Sequence, residues 1–351
     1  SAAAAVFTSN RVAAAPVRWS RRVLSDGAAR AVVLNSGGAN AATGAQGQAD
    51  ARASAEHVAS RLGLDSQDVA VCSTGLIGER LDMPRLLTGI DAAVDGLAEE
   101  GGDDAARAIM TTDTVPKQAV SRAEGYVLGG MAKGAGMLAP GLATMLCVLT
   151  TDADLPADVL QACLREAVRT TFDRTDSDGC MSTNDTVLLL ASGAADHTPE
   201  PDEFTHRLRE VCADLARQLI ADAEGARHEI AVRVVGAATE PAAEAVARAV
   251  TRSNLFKTAV FGQDPNWGRV ISAVGTVPES VAAFDADALD VWFNGVRVCR
   301  AGGVGEPRDG VDLTGRQVQV VIDLHAGDAE ATIWTNDLTH DYVHENSAYS
   351  T

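Results

Sequence analysis

The six cysteines, Cys72, Cys147, Cys163, Cys180, Cys212 and Cys299, form no Cys-x-x-Cys pair, and none of the seven histidines belongs to a His-Glu-x-x-His motif. Most of the cysteines sit in or beside apolar segments, which reads as buried free thiols in a reducing compartment. His340 and His344 lack an acidic or cysteine partner motif, so no metal is expected. The sequence has no Gly-x-x-x-x-Gly-Lys-Ser/Thr and no Gly-x-Ser-x-Gly, which removes the P-loop and the usual hydrolase elbow. Gly134-Ala-Gly136-Met-Leu-Ala139 loosely fits a dinucleotide fingerprint. Pro140 then falls where the phosphate-binding helix should run, and no clear βαβ unit surrounds it.

Basic charge is also scarce, with 29 Lys and Arg against 48 Asp and Glu and a formal net charge of −19. Such a surface repels a phosphate backbone or an anionic bilayer, and no local basic patch offsets it, so neither nucleic acid nor membrane is an expected partner. No apolar run approaches the ~18 residues of a membrane span. Ala2 to Ala5 are not followed by the parts of a signal peptide, and a cytosolic protein is expected. What the chain does have, 46% hydrophobic and 22% charged residues over 351 positions, suits one large or two ordinary globular domains. No repeat or low-complexity linker marks a border.

Apolar runs at Val6-Phe7, Ala31 to Leu34, Val69 to Cys72, Val115 to Ala119, Met145 to Leu149, Val187 to Ala191 and Ile230 to Val235 read as strands. Helical spacing runs through Asp50 to Leu62, Pro84 to Leu97, Asp103 to Met110, Pro156 to Phe172, Phe204 to Ala221 and Pro241 to Ser253. Phe261 to Arg269 reads as a polar, glycine-rich loop. From Val291 onward the chain is mostly β, with a hairpin over Val291 to Val298 turning at Asn294-Gly295, then strands at Val318 to Leu324 and Ala331 to Trp334. The mixture predicts a layered α/β or α+β fold.

Several strands end in small polar turns: Asn35 to Asn40, Ser73-Thr74-Gly75, Thr111-Thr112-Asp113, Ser182 to Asp185, and the C-terminal Asn346 to Thr351. Turns of this kind can aim backbone N–H groups at an anion, although singly each is more often a cap or a turn. Gly129 to Asp152 changes character midway. Up to Pro140-Gly141 it is small and flexible with one charge, Lys133, and from Met145 to Leu149 it reads as a buried strand. Ala143-Thr144 lies at the junction, where a hydroxyl would sit on a rigid element at the mouth of a loop, a good place for a nucleophile. A plain turn entering a strand has the same composition. By itself Lys133 reads as a solvated loop charge and Glu224 as a helix-end acid.

Lys133-Gly-Ala-Gly-Met-Leu-Ala-Pro-Gly-Leu-Ala-Thr144-Met-Leu, Ser182-Thr-Asn-Asp-Thr186, Asp264-Pro-Asn-Trp-Gly-Arg269 and Glu345-Asn-Ser-Ala-Tyr-Ser350 resemble the signatures of the ornithine acetyltransferase (glutamate N-acetyltransferase) family. Cys72-Ser-Thr-Gly-Leu-Ile-Gly78 and Asn35-Ser-Gly-Gly-Ala-Asn40 belong to the same set. These motifs are long, in the family's order, and spread over nearly the whole chain.

The resemblance implies an α/β sandwich of two central sheets flanked by helices, like that of N-terminal-nucleophile hydrolases. It implies self-cleavage between Ala143 and Thr144 into an α chain (1–143) and a β chain (144–351) that assemble as an α2β2 heterotetramer. Thr144 is then the nucleophile that carries acetyl from N2-acetylornithine to glutamate, releasing ornithine and N-acetylglutamate. Thr74 and Gly75 match the oxyanion hole, and Thr111, Lys133, Thr144, Glu224, Asn346 and Thr351 match substrate contacts. Exchange of one amide for another calls for no metal or ATP. Some relatives also accept acetyl-CoA, but no CoA loop is recognisable here, so the acetylornithine cycle alone is expected. The resemblance also implies a few dozen residues before the segment matching Ser1. Two other readings remain at this point: a self-processing amidase or aminopeptidase with water as acceptor, and a non-catalytic acidic binding protein.

Overall fold

Residues 1–137 and 145–348 are described in the structure, a computed structural model. The chain divides into two units, Ser1–Asp173 with Cys180–Asp222, and Arg174–Gly179 with the chain from Ala223. The expected border between Ala143 and Thr144 lies outside the described residues.

The first unit runs β1 (Ala2–Phe7), α1 (Ala15–Val23), β2 (Ala31–Asn35), α2 (Gly44–Leu62), β3 (Val69–Ser73), α3 (Met83–Asp95), α4 (Gly102–Ala108), β4 (Lys117–Ala123), β5 (Tyr126–Lys133), β6 (Leu146–Thr151), α5 (Ala157–Arg169), β7 (Thr186–Ala191) and α6 (Pro201–Ala221). Five strands form one sheet in the order β1-β7-β6-β5-β4, with β6 and β7 parallel and the other pairs antiparallel. The strands β2 and β3 form a separate parallel pair.

Alternation along β6 explains the layering. Cys147 and Leu149 face one way, packing with Leu189 against Leu160 and Leu164 of α5 and Leu208 and Leu215 of α6. Leu146 and Val148 face the other way, onto Ala70 and Cys72 of β3. A strand buried on both faces reads as an unbroken apolar run, which is why this one was legible. The alternate residues of β3, Val69 and Val71, face the opposite way onto Trp19 of α1, Ala55 and Val58 of α2, and Ile90 of α3. The first unit is therefore a helix–sheet–sheet–helix stack, the expected sandwich.

Helix α1 and strand β5 were not legible locally. In β5 the glycines read as loop, but Gly130 lies under Leu149 of the neighbouring strand, where a Cβ would meet Leu149 Cδ2 at 2.5 Å and push that side chain aside.

The second unit holds β8 (Glu229–Ala237), α7 (Glu240–Thr251), α8 (Asn254–Phe261), α9 (Trp267–Val274), β9 (Asp290–Phe293), β10 (Val296–Arg300), β11 (Gly303–Val304), β12 (Gln317–Asp323), β13 (Ala329–Asn336) and α10 (His340–Ala348). Its six-stranded sheet has the order β11-β10-β9-β12-β8-β13, with β8 and β12 parallel. Ile230, Val232 and Val234 of β8 and Val318, Val320 and Ile322 of β12 alternate onto Ala243 and Val246 of α7, Phe256 of α8 and Val270 of α9. The hairpin β9–β10 turns at Asn294-Gly295 as expected.

Two expectations are corrected here. The polar loop expected over Phe261 to Arg269 is shorter than that, running only from Gly262 to Asn266, because α8 ends at Phe261 and α9 starts at Trp267, capped by Asn266 Oδ1 accepting from Arg269 N at 3.2 Å. The C-terminal turn expected at Asn346 is instead part of α10.

Candidate active site

Lys133 ends β5 and is 2% exposed, which overturns its reading as a solvated loop charge. A buried ammonium must find acceptors for its three donors. Lys133 Nζ donates to Thr111 Oγ1 at 2.7 Å and to Thr74 Oγ1 at 3.3 Å, with Asp113 Oδ2 at 3.7 Å. Strand register pairs Lys133 with Leu146. Thr74, at the end of β3, and Thr111, beyond α4, thus meet on one cation.

That cation belongs to a larger buried set. Asp113 Oδ1 accepts from Gly134 N at 2.7 Å and from Lys117 Nζ at 2.6 Å, and its Oδ2 accepts from Thr111 N at 3.1 Å. Lys117 Nζ also donates to Asp222 Oδ2 at 2.6 Å, and Asp222 Oδ2 accepts from Thr114 N at 2.9 Å. Burial pushes the Asp113 carboxyl up, but the Lys133 and Lys117 charges and the hydrogen bonds from Lys117 and Gly134 outweigh it, and the group lies below its ordinary value. Two ammoniums face two carboxylates, so the set is formally neutral while every member is tied in place. Asp113 and Asp222 carry no motif that marks them as site residues, and Lys117 was placed only on a strand; their pairing spans 105 residues of chain.

The Thr74-Gly75 turn is built against the Asn35 loop. Thr74 N donates to Asn35 O at 3.0 Å, Ser73 Oγ donates to Asn35 Oδ1 at 2.6 Å, and Asn35 Nδ2 donates to Gly38 O at 3.0 Å. Gly75 has φ +127°, and a Cβ on it would lie 2.4 Å from Gly37 C and 2.6 Å from Gly38 N. Only glycine fits both that backbone angle and that approach.

In the second unit Glu224 Oε2 accepts from Asn346 Nδ2 at 2.9 Å. Glu224 also lines a small pocket of about 150 Å³ with Arg252, Lys257 and Tyr342. Lys257 Nζ there donates to Ser177 O and, at 3.2 Å, to Thr335 Oγ1. Burial pulls its pKa down to about 8 against the opposing pull of Asp178, Asp176 and Asp337. Among the described residues no three His, Cys, Asp or Glu side chains converge to hold a metal ion, and no helix is long and apolar enough to cross a membrane. Among the described residues the six cysteines form no disulfide; five are buried and Cys180 is exposed.

The sequence model of the ArgJ family matches residues 1–351. The chain belongs to the ArgJ family. The arginine biosynthesis bifunctional protein ArgJ of Streptomyces avermitilis is 64% identical over 99% of this chain and 90% of its own length. The crystal structure of the arginine biosynthesis bifunctional protein argJ of Bacillus halodurans matches with a TM-score of 0.52 and 34% identity, covering 57% of this chain and 97% of that one. A structure of ornithine acetyltransferase complexed with ornithine from Mycobacterium tuberculosis is 53% identical, covering 41% of this chain and 78% of that one, with a TM-score of 0.39. As an ArgJ protein the chain is an arginine-biosynthesis acyltransferase of the ornithine acetyltransferase (glutamate N-acetyltransferase) class.

Of the residues the ArgJ resemblance marked, Thr74, Thr111 and Lys133 meet in the first unit, with Gly75 beside Thr74, and Glu224 and Asn346 meet in the second. Ala143, Thr144 and Thr351 lie outside the described residues.

Proposed function

We propose that this ArgJ protein moves acetyl from N2-acetyl-L-ornithine to L-glutamate through Thr144, after self-cleavage between Ala143 and Thr144. The observation that carries the reading is the meeting of the Thr74 and Thr111 hydroxyls on the buried Lys133 ammonium. Strand register supports it, since Lys133 pairs with Leu146, two residues along the chain from Thr144.

In self-cleavage the Thr144 hydroxyl attacks the Ala143 carbonyl. The C–N bond breaks as the ester C–O bond forms, and the amine takes up the hydroxyl proton. Water then hydrolyses the ester, leaving the α chain (1–143) and the β chain (144–351), which assemble as an α2β2 heterotetramer. The new α-amino group, with an ordinary pKa of about 7.7–8.0, suits a general base at neutral pH.

The transfer runs in two halves. Thr144 Oγ attacks the acetyl carbon of acetylornithine and its proton passes through the α-amine to the departing ornithine nitrogen. Glutamate's amine then attacks the acetyl ester, giving N-acetylglutamate and restoring the hydroxyl. Each half passes through an oxyanion that needs fixed donors. Thr74 N–H is already given to Asn35 O, so the donors this turn offers are the Thr74 hydroxyl hydrogen and the Gly75 N–H. Because the Thr74 oxygen accepts from Lys133, its own hydrogen is turned elsewhere. Lys133 meets the substrate carboxylate and Glu224 an amino group, with Thr111, Asn346 and Thr351 as further contacts. No metal or resident cofactor enters the route, and acetyl-CoA is the alternative donor to assay.

Purified protein mixed with acetylornithine alone tests the reading. The acetyl group should appear on the peptide beginning at residue 144, and Thr144→Ala should stay one polypeptide and be inactive. Acetyl on any other peptide overturns the assignment. Release of free acetate without N-acetylglutamate when glutamate is added points to an amidase instead.

A further inference from the structure

The motif Ser182 to Thr186 is not used by the chemistry above, yet its two central polar residues reach into both halves of the first-unit site. Asn184 Nδ2 donates to Ser73 O at 2.8 Å and to Ala39 O at 2.6 Å, tying the residue before Thr74 to the Asn35 loop. Asp185, the next residue, is fully buried, and its Oδ1 accepts from Met145 N at 3.1 Å. On its other side Met145 O accepts from Thr186 N at 3.1 Å. Met145 is thus held by both backbone groups, and its side chain is buried as well.

The geometry points to Asp185 as a positioning residue for the nucleophile: by anchoring the Met145 amide, it immobilises the peptide that Thr144 leads. This rests on the Thr144 reading. Met145 follows Thr144 directly in the sequence, so the anchored nitrogen belongs to the peptide bond that joins the two. A chain end normally frays, and a nucleophile that is also an N-terminus needs its first backbone group tied down. The clamp does this one residue along.

The cost of the arrangement argues for a purpose. Asp185 Oδ2 has no hydrogen-bond partner among the described residues. Such a carboxylate is expensive to bury, and burial pushes the group well above its ordinary value despite the Met145 N–H and the Lys133 charge. A neutral carboxyl still accepts the Met145 N–H. Asparagine would present the same acceptor without a titratable group, so Asp185→Asn separates anchoring from ionisation.

The full-length precursor carrying Asp185→Asn or Asp185→Ala should be followed for self-cleavage, for kcat and for KM with each substrate across pH. Asp185→Ala should lower kcat by about 10–100-fold with KM for both substrates unchanged, in the range that misplacement of a reacting group costs. Asp185→Asn should restore kcat to within about threefold and keep the wild-type pH profile, since positioning needs only the acceptor. Wild-type kcat in Asp185→Ala, or an Asp185→Asn as impaired as Asp185→Ala, overturns the proposal. Where Asp185→Ala does not fold, Asp185→Asn decides alone: near-wild-type kcat and profile support anchoring, and loss of either overturns it. Absence of the acetyl adduct on peptide 144 in the wild type sinks the Thr144 reading. An adduct there together with an unimpaired Asp185→Ala sinks only this one.

Discussion

Lys133 Nζ and Thr111 Oγ1 lie 2.7 Å apart, a charge-assisted hydrogen bond between the end of one strand and a turn 22 residues earlier in the chain. The same nitrogen reaches Thr74 and Asp113, so the charge is fixed in place before any substrate arrives. A cation held this way can meet a carboxylate without first being ordered.

Lys133→Met should therefore lose about 10²-fold or more in kcat/KM, since a charge-assisted contact of roughly 1.5–3 kcal/mol goes along with the donor that orients Thr74. Lys133→Arg should recover little of it, because a planar fork does not replace a compact ammonium among these acceptors. Steady-state kinetics with both substrates decide. Wild-type kcat/KM in Lys133→Met would remove Lys133 from the site.

Thr74→Val keeps the shape of the turn and removes its hydroxyl. It should lower kcat by about 10²–10³ with little change in KM, the loss expected for one oxyanion donor. Gly75→Ala should do worse, because its Cβ would strike Gly37 and Gly38 at a backbone angle that alanine resists. A Thr74→Val enzyme that loses only KM would make this hydroxyl a ground-state contact.

Lys117 is fully buried between Asp113 and Asp222. Lys117→Met leaves both carboxylates short of their cation and should cost about 3–5 kcal/mol of stability, read from urea unfolding. A cost below about 1 kcal/mol would mean that Lys133 and the backbone donors compensate for it.

The two buried aspartates have opposite pH signatures. Asp113 is held below its ordinary value in the fold, so it stabilises the protein above the unfolded-state value of about 3.9, and that contribution is lost as pH falls through the folded value. Asp185 is raised, so the fold binds its proton more tightly than the unfolded chain does. Its contribution is complete below about pH 3.9 and is lost as pH rises towards its folded value. Asp185→Asn should therefore be more stable than the wild type at neutral pH, with the gap closing as pH falls towards 4. Denaturant midpoints of the two proteins between pH 4 and 8 check the sign, and a gap that widens on acidification contradicts it.

Local pattern was enough for most of the framework. Runs buried on both faces, such as β6, and amphipathic spacing, as in α5, are written in consecutive residues, because strand and helix periods repeat within a few positions. The boundaries of β3, α7 and the β9–β10 hairpin follow from the same signals. Where glycine and polar residues dominate, as in β5 and in the start of α9, composition pointed to loops. There the deciding forces were a sheet neighbour over Gly130 and a side-chain cap from Asn266.

By itself the sequence determined the family, through motifs long enough to be specific, and with it which hydroxyls and charges to look for. It also determined the mixed α/β content, through hydrophobic periods that need no distant partner. Only the tertiary structure decided that Lys133 is buried rather than solvated, that Lys117 bridges Asp113 and Asp222, and that Asp185 grips Met145. The reason is range: a hydrophobic period is set by a residue's own neighbours, whereas these buried charges also need partners such as Thr111, Met145 and Asp222, 22 to 105 residues away, that only the folded backbone brings within 3.1 Å.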